Sequence, residues 1–275
     1  MAPVNSMDYS GKDTVLDVIR RESSDFFKLV DDPKNWNVQT RCTEWEVRDL
    51  VGHMIDVTEG YLTRWDKAKR KESADTVGLL VMGRDLNNKA QSFRSLPRAE
   101  AINRLKNDYA RMMDIFQKLT PDEWGGFAVT HPFMGPLPTL FYPAFHVMDY
   151  GVHTWDIRYG LGEKTRKLDD RTAGVLVPYM LMALLPSTVD AKSAAGVDVT
   201  YGIDISGEWG GKWRAHVKDG KFDVQPETGN FEGCDAIFAF DGSDFVLTAF
   251  QRFPVGAARG DYEVINKVRD LFFTI

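Results

Sequence analysis

The apolar residues of this chain change their period once, and that change constrains the fold more than any other feature. Up to about residue 160 they recur at helical spacing. From residue 196 they alternate with polar residues, as in VDVTYGIDIS, KWRAHVKDG, KFDVQPE and CDAIFAFDG. A helix stripe needs a period near 3.6 and a half-buried strand needs a period of two, so one region cannot satisfy both. The chain is therefore expected to be an α+β protein of two parts, helical first and sheet-containing second. The boundary is placed at the charged segment after Gly162, giving domains 1–165 and 166–275.

Within the first part, Val15, Val18, Ile19, Phe26, Phe27 and Leu29 form the stripe of a helix over about 12–30. A second helix is expected to start at Thr43, because Thr43 and Glu46 have capping-box spacing. It continues through EWEVRDLVGHMIDVTEGYLTRWDKAKR. A third is placed over 77–94 and a fourth from Arg98 to the residues before Pro121. The Gly- and Pro-rich segment 120–139 is read as a loop, and a last helix spans about 139–160. Several long amphipathic helices joined by loops imply a bundle, here of four main helices. In the second part a short helix covers 173–185, Asp219-Gly220 marks a hairpin turn, and two short helices follow the strands.

The formal net charge of −6 argues against a nucleic-acid partner. KAKRK at 67–71 reads as the solvated end of a helix. The N-terminal residues lack an apolar signal core, and the longest apolar run, 175–186, is too short to span a bilayer. Two distant cysteines, Cys42 and Cys234, suit a reducing compartment. A cytoplasmic protein with no membrane partner is expected; the oligomeric state is not legible.

The chain has only five histidines, and two of them fall in HVMDYGVHTWDIRYG at 146–160. On a helix His146 and His153 lie two turns apart, about 20° from one another. Asp149 and His153 are four apart on one broad face, a spacing from which two side chains reach one ion. A catalytic zinc takes three protein ligands and keeps one position open. His53, on the inner stripe of the second helix with Leu50, Val57 and Tyr61, is the natural third. Spacing leaves a second reading open: a histidine on an apolar face is ordinarily a hydrogen-bonded core residue, and an Asp/His pair at i, i+4 is commonly a surface hydrogen bond. His131 and His216 add nothing to the cluster, and Trp45 and Trp155 read as core aromatics.

WEVRDLVGHMIDV at 45–57 resembles the W-x-V-x-D-L-x-x-H segment of DinB-like bundles. DYGVHTWDIRYGLG at 149–162 is similar to the E-x-x-x-H-x-W-D-L segment of their last helix. GPLPTLFYPAFHVMD resembles the loop and helix entry between the two, and DAIFAFDGSDFVLTAFQRFPVGAARGDYEVINKV resembles a closing sterol-carrier-like domain. The whole arrangement resembles the mycothiol-dependent maleylpyruvate isomerase family. That resemblance implies a DinB-like bundle followed by a small sterol-carrier-like α+β domain. It makes His53, Asp149 and His153 the metal ligands, with Asp149 standing where the family usually has glutamate. The metal implied is zinc, with nickel also accommodated by such donors. The cofactor implied is a low-molecular-weight thiol, mycothiol or one like it.

The resemblance also makes Arg252 a cleft residue that binds a carboxylate of substrate or cofactor through its planar fork. Gln251 stands where the family usually has glycine. His146 lies outside the usual triad and has three open roles: extra ligand, partner of a ligand, or general base. Asp156, three after His153, either orients that ring or is a structural acid. The implied activity is thiol-dependent isomerisation or S-transfer on a small electrophile. Two other readings stay open: a hydrolase using metal-bound water, and a non-catalytic protein that binds an apolar ligand. The cleft between the two domains is the expected binding place, with 120–139 as its cover.

Overall fold

The structure, a computed structural model, describes residues 5–253 and 256–273. Ser6–Arg166 forms one compact unit, and the chain from Lys167 onward forms the other.

The first unit contains α1 (Lys12–Asp31), α2 (Val47–Lys69), α3 (Leu79–Ser92), α4 (Arg98–Lys118), α5 (Pro121–Gly126), strands β1 (Ala128–His131) and β2 (Gly135–Pro138), and α6 (Phe141–Gly160). Helix α1 packs on α6, and α2 packs on both α3 and α4. The stripe on α1 is buried at Val15, Val18, Ile19, Phe26 and Val30. The α2 side of the core gathers Val47, Leu50, Val51, Met54 and Ile55 against Ala101, Ile102 and Leu105 of α4.

Helix α2 begins three residues later than Thr43/Glu46 spacing predicts. Glu46 is its N-cap, and Asp49 reaches back to accept from the Glu46 N–H at 2.9 Å. Residues ahead of Glu46 are drawn into a tight loop instead. The Gln39 side-chain amide donates to the carbonyls of Cys42, Thr43 and Trp45, and the Thr40 hydroxyl donates to that of Trp45. Those contacts outweigh the local cap signal. Asp49 is fully buried and is held by both nitrogens of the Arg94 fork, each at 2.7 Å. The segment expected to be a loop at 120–139 instead contains α5, capped by Thr120, and the antiparallel pair β1–β2.

Helix α6 is buried on nearly every side, from Tyr142 to Ile157. A helix buried all round belongs at the centre of its unit and should be apolar throughout. This one carries His146, Asp149, His153, Thr154 and Asp156, all buried.

In the second unit α7 (Asp170–Tyr179) runs through a π-helical turn at Met180–Leu184 into α8 (Leu185–Thr188). A five-stranded sheet follows: β3 (Asp198–Ser206), β4 (Gly211–Lys218), β5 (Lys221–Pro226), β6 (Ala236–Asp241) and β7 (Ala257–Gly260). Helix α9 (Gly242–Ala249) precedes β7, and α10 (Tyr262–Arg269) follows it. The strand order is β5-β4-β3-β6-β7, with β3 and β6 parallel and the other neighbours antiparallel. Val199, Tyr201, Ile203 and Ile205 face the core, as period two requires. Asp219 and Gly220 both have positive φ and close the β4–β5 hairpin. Strand β7 has no counterpart in the sequence reading, because AARG is too short to show a period.

Candidate metal centre

His53 projects from the middle of α2, and Asp149 and His153 project from α6. One potential ligand atom from each lies within 4.8 Å of the other two. All three side chains are buried, at 8%, 5% and 8% relative exposure. The two imidazole rings stand nearly perpendicular, at 88°, with centroids 5.2 Å apart. Trp45 lies against them, 4.9 Å from the His53 ring and 6.1 Å from that of His153. Its indole N–H donates to Asn87 of α3 at 2.8 Å, which fixes the ring plane. Trp45 is thus both a core aromatic and one wall of the cluster.

Burial pushes the Asp149 carboxyl up to about 8, and burial is the only cause of that shift. Among the described residues, no cation or hydrogen bond contributes to offset the cost of ionising it. An ion at the cluster would supply that balance. Two imidazoles and a carboxylate are a donor set that suits zinc and other divalent metals. The residues present therefore fit the group. Aspartate at 149 is one methylene shorter than glutamate, and one of its carboxylate oxygens still lies within 4.8 Å of a ring nitrogen of His53 and of His153.

His153 is held from behind. Its Nδ1 lies 3.0 Å from Oδ2 of Asp156, which has no exposure at all. The same oxygen accepts from the Cys42 thiol at 3.3 Å. Cys42, His153 and Asp156 thus form a second group that shares His153 with the first. With Nδ1 engaged by Asp156, Nε2 is the nitrogen left to face His53 and Asp149.

The other histidines are placed elsewhere. His146 is 1% exposed, with Nδ1 3.3 Å from the Tyr142 carbonyl and its ring among those of Phe116, Tyr61 and Tyr150. Burial pushes its pKa down to about 4, so the ring is neutral. It is in neither ligand group. His131 accepts from the N–H groups of Phe133 and Met134 at the β1–β2 turn, and burial lowers it to about 3. His216, on β4, lies 2.7 Å from Asp198 at the sheet surface. Arg252 belongs to the second unit, just after α9, where its Nη1 donates to the Phe250 carbonyl at 3.2 Å. Gln251 before it has φ of 53°, the left-handed conformation glycine adopts without strain.

Cys42 escaped the sequence reading because its partner is 114 positions away and no spacing rule joins them. Asn87 escaped it for the same reason.

These features define a two-part α+β protein whose helical half buries a His/Asp/His group capable of holding a metal. Residues 16–158 match the family described as Mycothiol maleylpyruvate isomerase N-terminal domain, and the chain belongs to that family. The crystal structure of the mycothiol-dependent maleylpyruvate isomerase is similar with a TM-score of 0.55 at 12% identity. That likeness covers 90% of this chain and 92% of the other. A histidine-to-alanine mutant of that isomerase matches with a TM-score of 0.55 at 11% identity and the same coverage. At such identity the likeness speaks for the fold of both parts. No curated protein matches the chain.

Proposed function

We propose that this chain is a metal-dependent enzyme that uses a low-molecular-weight thiol, mycothiol or a close analogue, to act on a small electrophile by isomerisation or S-transfer. The observation that carries the reading is the buried His53/Asp149/His153 group inside the region that matches the family. In this reading those three residues hold zinc or nickel. A divalent ion so held would lower the pKa of a bound thiol and supply a nucleophile at neutral pH.

The chain's own residues prepare the site. Burial of all three ligands keeps bulk water from screening their charges. Asp156 fixes the tautomer of His153, and Trp45 offers an apolar wall beside both imidazoles. Arg252 is the residue we assign to a carboxylate of substrate or thiol, supported by its half-buried position after α9 and by the geometry of a guanidinium. We assign His146 a packing role rather than a chemical one. Its neutral, enclosed ring favours this assignment, since a general base needs access to the proton it takes.

The test is metal analysis and zinc titration of the full chain beside His53→Ala and His153→Ala. Wild type is expected to bind one equivalent of zinc and each variant much less. Equal occupancy in all three would refute the site. Turnover of a maleyl-type electrophile with and without mycothiol then tests the thiol: activity undiminished without any thiol would favour metal-bound water as the nucleophile.

A further inference from the structure

The loop ahead of α2 delivers a thiol to the back of the metal site, and its construction goes beyond what packing requires. Cys42 is half-buried at the edge of the helical core. Its carbonyl accepts from the Gln39 amide at 2.9 Å and from the Trp45 N–H at 2.9 Å. Its own N–H donates to the Thr40 hydroxyl at 3.2 Å. The neighbouring Arg41 N–H donates to the backbone carbonyl of Asp156 at 3.0 Å. The loop is thus tied both to itself and to the residue whose side chain the thiol meets. Gly160 permits this approach, since a Cβ there would fall 2.1 Å from the Gln39 carbonyl oxygen.

We propose that Cys42 is a positioning residue that weakens the grip of Asp156 on His153 and so sets how tightly the site holds its metal. This rests on the reading of His153 as a ligand. One carboxylate oxygen, Oδ2 of Asp156, meets two groups, the Cys42 thiol at 3.3 Å and Nδ1 of His153 at 3.0 Å, the latter a donor whenever His153 ligates through Nε2. Asp156 is fully buried, so water does not share in stabilising its charge. Each donor therefore draws electron density from the bond the other makes. A stronger carboxylate–imidazole bond makes the opposite ring nitrogen a better metal ligand. The thiol works against that, and modestly, because S–H is a weak donor.

A packing role and a positioning role predict opposite signs. If Cys42 only fills space, removing it loosens the loop and leaves zinc affinity the same or lower. If it competes for Asp156, removing the thiol raises zinc affinity. The experiment titrates the full chain with zinc in competition with a chromophoric chelator. It compares wild type, Cys42→Ala, Cys42→Val and Asp156→Asn. The valine variant fills the place of the thiol with a slightly larger apolar group and removes the donor, which guards against collapse of the loop in the alanine variant.

Both cysteine variants are expected to bind zinc about two- to tenfold more tightly than wild type. Asp156→Asn is expected to bind roughly ten- to hundredfold more weakly. Unchanged or weaker binding in both cysteine variants, beside stoichiometric zinc in wild type, would overturn the proposal. So would a thiolate charge-transfer band in the cobalt-substituted wild type that vanishes in Cys42→Ala, since that would make Cys42 a ligand. Absence of zinc from wild type would refute the site itself, a separate failure.

Discussion

Individual side chains in the first unit carry chemistry that the apolar core would ordinarily exclude. His131 and His146 are the plainest cases. Burial lowers them to about 3 and about 4, against 6.5 for an exposed imidazole. Between those values and 6.5 the unfolded chain binds more protons than the folded one. Their contribution is therefore fully present above pH 6.5 and is lost as pH falls toward 4. For His146 the loss is on the order of 3 kcal/mol by the usual conversion of pKa shift to free energy. Urea unfolding followed from pH 7 to pH 4.5 should show falling stability, and His146→Phe should fall less steeply. An equal slope in the variant would mean that His146 is solvated in the folded chain. Asp149 runs the other way: burial raises its carboxyl to about 8, so ionising it is costly unless a cation lies beside it.

At the scale of elements, two close approaches decide where these side chains sit. The loop of residues 39–46 rests on the C-terminal end of α6 at Gly160. In Gly160→Ala the new methyl meets a backbone carbonyl, which no rotamer change relieves. We expect a loss of roughly 1–3 kcal/mol, typical of overpacking, together with altered zinc affinity because Cys42 and Trp45 ride on that loop. Chemical denaturation and zinc titration check both. Unchanged stability would show that the loop stands off from the helix. The second place is the turn after α9, where Gln251 adopts positive φ while the Arg252 N–H closes on the Leu247 carbonyl at 2.8 Å. Gln251→Gly should gain about 1 kcal/mol by relieving the left-handed strain, seen as a higher melting temperature. A lower one would mean that the Gln251 amide contact to the Phe272 carbonyl outweighs the strain.

For the whole molecule, the division falls between Arg166 and Lys167. The segment 160–167 is exposed throughout. Trp155 on α6 donates to the Arg166 carbonyl at 2.7 Å, while the Lys167 ammonium pairs with Asp241 and Asp244 of the second unit. The chain thus changes allegiance within one peptide bond. Limited trypsin digestion is expected to cut first at Lys164, Arg166 or Lys167 and leave two resistant fragments, identified by mass. First cuts inside α2 or α6 would contradict the division. No helix among the described residues is long and apolar enough to cross a membrane.

Both fold classes were legible along the chain, because the period of buried residues is a local property. Val15 to Val30 read as a helix and Val199 to Ile205 as a strand without any knowledge of partners. The Asp219-Gly220 hairpin was legible too, since positive φ favours those residues, and so was the placing of Asp149 and His153 on one helical face. The start of α2 was settled by packing, where Gln39 and Thr40 donate to the carbonyls of Thr43 and Trp45 that a helix capped at Thr43 would have paired within itself. Packing alone brought His53 of α2 to Asp149 and His153 of α6, enclosed His146 in aromatic rings, and laid Cys42 on Asp156. Each of those contacts joins residues distant in the chain, and side chains so separated meet only once the helices that carry them have packed.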